Sequence, residues 1–161
     1  MRYKVVPEPV SYDLLLAARD ALPLVPGSVE DCCGRIRDRT EIPSRDAARE
    51  WLTFLQALGL AAETDRGFYR GREEPDRDTL AEQFLDGVFG AHEIRDALAA
   101  ADGPLAAREV FGRVRETIPH WERDRRPDWE SEWTGRIERL LDWGVVFEIL
   151  ERREGGYVAV R

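Results

Sequence analysis

The chain has 161 residues, 24 of them Lys or Arg and 32 Asp or Glu, so its formal net charge is −8. A composition that is 43% apolar and 9% aromatic is not that of a disordered segment, and this length suits one mid-sized or two small domains. The acidic balance excludes a polybasic nucleic-acid coat protein, and no apolar run approaches the roughly 20 residues of a membrane span. The N-terminus also lacks the apolar stretch of a signal peptide, so we expect a cytoplasmic protein without membrane contacts.

The first part of the chain predicts three helices and a hairpin. Ser11, Ser28 and Ser44 each precede a segment with apolar residues at helical spacing, which is typical of helix N-caps. The third helix is expected to end at Gly59. Residues 60–64 and 68–70, on the two sides of a turn at positions 65–67, then predict the strands of a short β-hairpin.

A polar stretch and one further helix separate this part from the next. Residues 71–78 are polar, and residues 79–90 predict an extra helix that packs across both halves. The sequence therefore predicts one domain over residues 1–72, a linker with a connecting helix over residues 73–91, and a second domain over residues 92–161.

The second domain repeats the same order of elements. Helices are predicted over about 93–101, 106–117 and 129–143, and an inserted polar loop rich in Trp and Arg covers residues 119–128. A hairpin longer than the first is predicted to follow, with strands over 145–150 and 157–160.

Three short blocks recur in the same order in the two halves. Residues 19–22 match 95–98 at an offset of 76, and residues 33–38 match 111–116 at an offset of 78. In the helix before each hairpin, Gly59 aligns with Gly144 at an offset of 85. An internal repeat of this kind indicates two copies of one supersecondary unit.

Three helices followed by a β-hairpin is the order of elements in a winged helix-turn-helix domain. The resemblance is most specific at residues 102–110, DGPLAAREV, which are similar to the start of the second helix in many archaeal and bacterial winged helices. Residues 55–60, LQALGL, resemble the end of a third helix that leads directly into the wing. As a whole the chain resembles tandem winged helix-turn-helix proteins of haloarchaea. The resemblance implies a mainly α fold with small β-hairpin wings, in two winged-helix domains joined by a linker helix.

The charged residues are unusual in kind and in distribution. Lys4 is the one lysine among 24 cations, and this Arg-rich, acidic composition is typical of salt-loving archaea, with a protein from a GC-rich bacterium as the alternative. Residues 1–72 carry 11 cations and 11 anions, whereas residues 73–161 carry 13 and 21. Because the whole excess of −8 lies in the second part, attraction to phosphate is expected in the first.

The resemblance implies where DNA would be contacted. In DNA-binding winged helices the outer side of helix three enters the major groove and the wing reaches phosphates or the minor groove. In the first domain these surfaces would carry Arg45, Arg49, Thr53, Gln56, Arg66 and Arg70. Arginine can pair with guanine and glutamine with adenine. Since Asp46 and Glu50 adjoin the arginines, a solvated face crossed by salt bridges is the alternative.

The second domain is a poorer candidate for DNA and a better one for a protein partner. Its third helix is rich in Glu and Asp, which phosphate would repel. Exposed Trp beside Arg is common at the centre of protein interfaces. The candidate partner-binding residues are Trp121, Arg125, Arg126 and Trp129. The alternative is a Trp cluster that packs beneath the inserted loop.

No pattern in the sequence predicts catalysis, a metal site or a cofactor. Cys32 and Cys33 are adjacent, and the two histidines, His92 and His120, lie far away, so the spacing of a metal site is missing. A nucleophile with its base and a Gly-rich phosphate loop are also missing.

We expect a DNA-binding, regulator-like protein of a halophilic archaeon, with the first domain on double-stranded DNA and the second in association with another copy or another protein. The alternative is a scaffold of paired winged helices that does not bind DNA.

Overall fold

The computed structural model describes residues 3–160, and the chain divides into two compact units, Met1–Phe89 and Gly90–Arg161. Each unit has three main helices followed by a two-stranded antiparallel hairpin. The predicted fold class, mainly α with two small hairpin wings, is confirmed. The elements of the first unit are α1 (Tyr12–Ala21), α2 (Val29–Arg39), α3 (Arg45–Ala57), β1 (Ala61–Thr64), β2 (Gly67–Arg70) and α4 (Arg77–Gly87).

The three predicted serine caps are present in the first unit. The hydroxyl of Ser11 accepts a hydrogen bond from a backbone N–H in the first turn of α1, at 3.2 Å. Ser28 does the same for α2 at 3.0 Å, and Ser44 for α3 at 3.1 Å. Each cap satisfies one of the N–H groups that a helix start leaves without a partner, and thereby fixes where the helix begins.

The wing of the first unit is a two-stranded hairpin, and one residue before α2 also pairs with it. Strands β1 and β2 pair antiparallel from Ala61 opposite Arg70 to Thr64 opposite Gly67. On the other side of β2, Gly27 pairs with Phe68. Gly67 has φ of 128°, and a Cβ at this position would overlap the carbonyl oxygen of Gly27. Glycine is therefore required for the turn and for the close approach of the segment that contains Gly27.

Helix α4 belongs to the first compact unit, Met1–Phe89. The carboxylate of Asp76 caps the helix by accepting from the N–H of Thr79, at 3.3 Å. Near the end of α4, a Cβ on Gly87 would come within 2.6 Å of the carbonyl oxygen of Ala57 in α3. This close approach shows that α4 packs tightly against the C-terminal end of α3.

The second unit repeats the three-helix order with one short helix inserted. Its elements are α5 (Ala91–Ala99), α6 (Ala107–Val114), a 3₁₀ turn (Arg115–Thr117), α7 (His120–Asp124), α8 (Trp129–Val146), β3 (Leu150–Arg153) and β4 (Gly156–Ala159). Leu105 pairs with Tyr157 beside the wing, as Gly27 pairs with Phe68 in the first unit. The inserted segment 119–128, predicted as a loop, is therefore partly helical.

The prediction for the second wing was wrong in its first strand. Residues 145 and 146 belong to α8, and β3 begins only at Leu150, so both wings have strands of four residues. Gly144 does not end the helix. Gly144 lies within α8. A glycine is needed there because the side chain of Leu150 packs so closely that a Cβ at residue 144 would come within 2.6 Å of Leu150 Cδ1. The chain leaves α8 through Glu148, which has φ of 60°.

The third block of the repeat is also shifted from its predicted alignment. At the end of α3 the N–H of Leu60 donates to the carbonyl of Leu55, and at the end of α8 the N–H of Ile149 donates to that of Gly144. These pairs are 149 − 60 = 89 positions apart, so the offset of 85 was wrong by four residues. A slip of one helical turn keeps apolar side chains on the same face, and the hydrophobic pattern therefore conceals it.

Candidate nucleic-acid interface

Helix α3 buries one side and exposes the other. Its inner side holds Ala48, Trp51, Leu52, Phe54 and Leu55, all buried. Its opposite side, called the outer face below, is formed by Arg45, Arg49, Thr53 and Gln56. Successive members are three or four residues apart, so they form one stripe along the helix.

The outer face is most accessible where α3 begins. Arg45 and Arg49 are exposed, while Thr53 and Gln56 are half-buried. Helix α4 approaches α3 at Ala57, beyond the last of these residues. The four residues predicted on helix three are therefore brought together on one accessible surface.

Arg45 is held by Glu30, which lies in the first turn of α2. Its Nε donates to Glu30 Oε2 at 2.9 Å and its Nη2 donates to Glu30 Oε1, so the pairing is bidentate. This hydrogen bond to Arg45 holds the pKa of Glu30 below its usual range and raises that of Arg45. The residue that pairs with Arg45 is thus 15 positions away, and not Asp46 beside it.

Gln56 and the wing complete this surface. The Nε2 of Gln56 donates to Glu63 on β1, at 3.3 Å. Arg66 is exposed in the turn of the wing, where its backbone N–H donates to the hydroxyl of Thr64 at 3.1 Å. The structure thus places Arg66, but not the other predicted wing arginine, where a nucleic acid could reach it.

Arg70 points away from the outer face. Its guanidinium donates to the backbone carbonyls of Asp20, at 2.7 Å, and Leu22, at 3.4 Å, at the end of α1. Carbonyls at a helix C-terminus have no partners within the helix and carry partial negative charge, which a cation stabilises. Arg70 therefore fixes the wing to α1, and we leave it outside the candidate interface.

The corresponding face of the second unit has the opposite charge. Counting 89 positions on from the outer face gives Thr134, Glu138, Asp142 and Val145 on α8. Asp142 accepts hydrogen bonds from Tyr157 and from Arg152, both at 2.6 Å. None of these four residues is a cation, and Glu138 and Asp142 are acidic, although Asp142 is paired with Arg152. This face therefore attracts phosphate less than the outer face of α3 does.

Tyr157 should titrate far above an ordinary tyrosine. Burial, followed by its hydrogen bond to Asp142, raises the pKa of Tyr157 to about 12. The folded protein then holds this proton more tightly than the unfolded chain, whose tyrosine pKa is about 10, so stability should fall as pH rises from about 10 to 12. The difference in tyrosinate absorbance between wild type and Tyr157→Phe should show this titration near 12. In an Asp142→Asn background the midpoint should be lower but still above that of an ordinary tyrosine, because the burial remains. A midpoint near 10 with Asp142 intact would contradict the assignment.

The insertion of the second unit is anchored by a buried carboxylate. Glu122 on α7 is 3% exposed. It accepts from the indole N–H of Trp133 at 3.3 Å and from Arg125 at 3.4 Å. Burial lowers the pKa of Arg136 to about 10, and the nearby Glu122 opposes that shift. Since the pKa is still well above 7, the guanidinium keeps its charge beside this carboxylate at neutral pH.

The two candidate tryptophans of the insertion have different surroundings. The ring of Trp129 is half-buried between the guanidinium groups of Arg115 and Arg123, at 4.8 and 5.4 Å from the ring centre, and contacts Phe111 at 5.9 Å. Trp121 on α7 is 61% exposed. Trp129 is therefore committed to internal packing, whereas Trp121 is open to a partner.

The two candidate arginines of the insertion are exposed and paired with carboxylates. Arg125 pairs with Glu122, and Arg126 with Asp128 at 3.4 Å and Glu132 at 3.5 Å. The exposed ion pairs of Arg126 contribute little to stability, so Arg126 can change partners when another surface approaches. Arg125 differs, because the carboxylate that it contacts is buried.

Within residues 3–160 no group of three or more His, Cys, Asp or Glu side chains could hold a metal ion, and none of the helices there is long and apolar enough to cross a membrane. Cys32 and Cys33 are free and buried. Burial raises the pKa of the Cys32 thiol to about 11, which keeps it protonated and unreactive.

Comparison with known proteins identifies a family. The sequence model described as the halobacterial double winged helix domain matches the chain over residues 1–161. No curated protein and no solved structure matches the chain. The match covers the full sequence, and a double winged helix agrees with the two three-helix units and their hairpins. The chain therefore belongs to the halobacterial double winged helix domain family.

Proposed function

We propose that this protein is a cytoplasmic, DNA-binding transcriptional regulator in which the first unit contacts double-stranded DNA and the second mediates association. The observation that supports this most is the open outer face of α3, with Arg45 and Arg49 exposed and α4 packed beyond its end. The winged-helix fold supplies the docking geometry, with helix three in the major groove and the wing beside it. The proposal includes no catalytic step.

The salt of a halophilic cytoplasm shapes how such a protein would bind. At about 1 M salt the Debye length is roughly 3 Å, and little free energy is gained from counterion release. Binding must then depend on contacts at hydrogen-bonding distance. Arginine, with its fixed array of donors, suits this better than lysine, which agrees with a chain that has 24 cations and a single lysine, Lys4.

A mobility-shift assay in molar KCl tests the proposal. Purified full-length protein is mixed with a pool of genomic fragments and with synthetic duplexes of random sequence. We expect a subset of genomic fragments to be retarded at protein concentrations that leave random duplexes free, because base contacts exceed phosphate contacts under these conditions. If the wild-type protein retards no fragment at any concentration, the first unit is not a DNA-binding domain.

The second candidate function is a protein-interaction scaffold without DNA binding. It is favoured by Trp121, which is exposed on a helix whose next residue, Glu122, is buried and hydrogen-bonded. A rigidly mounted aromatic side chain loses little conformational entropy when it binds. The acidic second part of the chain, with a net charge of −8, would then face a basic partner or another copy.

Replacing Trp121 by alanine should weaken association through the second unit. Truncation of a central aromatic side chain in an interface commonly costs about 2 kcal/mol or more, or about 30-fold in affinity. Sedimentation equilibrium in molar KCl measures self-association, and affinity capture measures other partners. Replacement of Val160, which is also exposed, is the matched control. Equal association of wild type and Trp121→Ala by both measurements would remove Trp121 from the interface.

A further inference from the structure

The pairing of Arg45 with Glu30 joins the starts of two helices. Glu30 lies in the first turn of α2, and Arg45 is the first residue of α3, directly after its cap. Both side chains remain accessible, at 50% exposed for Arg45 and 66% for Glu30. The pair therefore stands at the end of the outer face where the recognition helix begins, which is the end that contacts base edges in helix-turn-helix proteins.

The geometry of the pair leaves one edge of the guanidinium available. A guanidinium has five N–H donors, and a carboxylate that binds Nε and Nη2 uses only the side edge. The end edge, formed by Nη1 and the second hydrogen of Nη2, makes no hydrogen bond with any residue that the structure describes. Two parallel donors at that edge match the two acceptors, O6 and N7, of guanine in the major groove.

The carboxylate also determines what this edge can bind. A phosphate near Arg45 would meet the negative charge of Glu30 at close range, whereas the acceptors of guanine carry no net charge and meet no such repulsion. Fixing the guanidinium in advance further reduces the entropy lost when it binds a base. The pair is thus built for a neutral, bidentate acceptor.

We propose that Glu30 is a positioning residue that fixes Arg45 for recognition of a guanine edge, so that this point of the outer face selects sequence instead of phosphate. This inference rests on the proposed DNA binding by the first unit. Arg49, one turn further along, is exposed and makes no side-chain hydrogen bond to the described residues, so it takes the phosphate contact.

The second unit shows the difference that this pair makes. The position that matches Glu30 at the offset of 78 is Arg108, and the position that matches Arg45 at the offset of 89 is Thr134. The acidic partner is thus replaced by a cation and the arginine by a hydroxyl. A carboxylate at residue 30 is therefore not a requirement of the fold, because the same helix start is formed without one.

The test compares base preference in the full-length protein and in two charge-matched variants. Glu30→Gln removes the bidentate acceptor and one negative charge. Glu82→Gln removes the same charge from an exposed residue of α4, which is not part of the outer face of α3. Each protein selects duplexes from a random library in molar KCl, and the selected sites are then measured with guanine and with each other base at the preferred position, over a range of salt concentrations.

For wild type and Glu82→Gln we expect one position where guanine is preferred about tenfold or more, the discrimination of a good bidentate pair. In Glu30→Gln the preference at that position should fall below about threefold, while the affinity for random duplex rises. The slope of log K against log salt should become steeper by about 0.9, the value for one additional phosphate contact. Arg45→Lys should also lose the preference, because an ammonium group lacks the fork.

Two different results would overturn the inference, and they can be told apart. If wild type selects sites but Glu30→Gln keeps the same guanine preference and salt slope, Glu30 has no positioning role, and the proposed function stands without it. If neither wild type nor Glu82→Gln binds any duplex, the proposed function fails and the inference fails with it. Thermal unfolding of all variants, which should agree within a few degrees, shows that the comparison concerns folded proteins.

Discussion

Replacing Glu122 by alanine should destabilise the second unit by about 3–5 kcal/mol, the cost of removing one partner from a buried charge pair. The carboxylate is 3% exposed and accepts from the indole of Trp133. It also opposes the effect of burial on the guanidinium of Arg136. Without it, the guanidinium of Arg136 loses the more effective of its two neighbouring carboxylates, Glu122 and Glu132, and the indole N–H loses its acceptor. A large loss is therefore expected from a residue type that usually lies on the surface.

Urea unfolding followed by tryptophan fluorescence measures this effect. Four of the five tryptophans, all except Trp51, lie after residue 90, so the signal reports mainly on the second unit. Glu116→Ala is the matched control, because Glu116 is 84% exposed and its ion pair with Arg123 is long, at 3.7 Å. Glu122→Gln, which keeps the shape and one acceptor, should lie between wild type and Glu122→Ala. If Glu122→Ala unfolds at the same urea concentration as the control, the insertion is not anchored in this way.

The double change Arg45→Ala/Arg49→Ala should lower DNA affinity by about 1–3 kcal/mol, that is, about fivefold to 150-fold. This is the free energy of one arginine that contacts a base edge, because the phosphate contact of Arg49 contributes little in molar salt. Both side chains are exposed on the outer face, so their removal leaves the buried side of α3 intact and takes away the exposed ion pair between Arg45 and Glu30. Binding is measured by fluorescence anisotropy in molar KCl on a fragment selected by the wild-type protein.

The same change in charge can be made in the second unit. Arg108 and Arg113 are exposed residues at α6, and the variant Arg108→Ala/Arg113→Ala should bind the fragment as the wild type does. An equal loss of affinity in the two double variants would mean that net charge alone governs binding. An unchanged affinity in Arg45→Ala/Arg49→Ala would mean that DNA, if bound, is contacted elsewhere.

Features set by local sequence were predictable. The serine caps at positions 11, 28 and 44 act within three residues of themselves, and all three are present. The hydrophobic spacing of α3 fixed its inner side and therefore also its outer face. The order of elements, three helices and then a hairpin, followed from these signals and from the repeat, and with it the family.

Features set by distant contacts were not predictable. Arg70 sits in a wing, where an arginine commonly contacts phosphate, but here it binds carbonyls about 50 positions earlier in the chain. Glu30 and Arg45 are 15 positions apart, and their pairing depends on how α2 packs against α3. The burial of Glu122 has no local signal, because its neighbours in the sequence are mostly exposed and polar.

The alignment of the repeat failed for a different physical reason. Helical periodicity is almost unchanged by a shift of four residues, so an offset of 85 fits the apolar pattern nearly as well as the true offset of 89. The hydrogen bonds at the ends of α3 and α8 distinguish the two. The correction matters for the proposed function, because it aligns Thr134, Glu138 and Asp142 in the sequence with Arg45, Arg49 and Thr53, three of the positions that we propose contact DNA.

The central claim is that DNA is contacted by the outer face of α3 and by the wing of the first unit. The most direct measurement is a titration of the ¹⁵N-labelled full-length protein with a selected duplex, followed by amide chemical shifts in molar KCl. We expect shifts concentrated in residues 44–57 and 63–67, together with Glu30, and little change over residues 130–146. Shifts confined to the second unit, or none at a saturating DNA concentration, would contradict it.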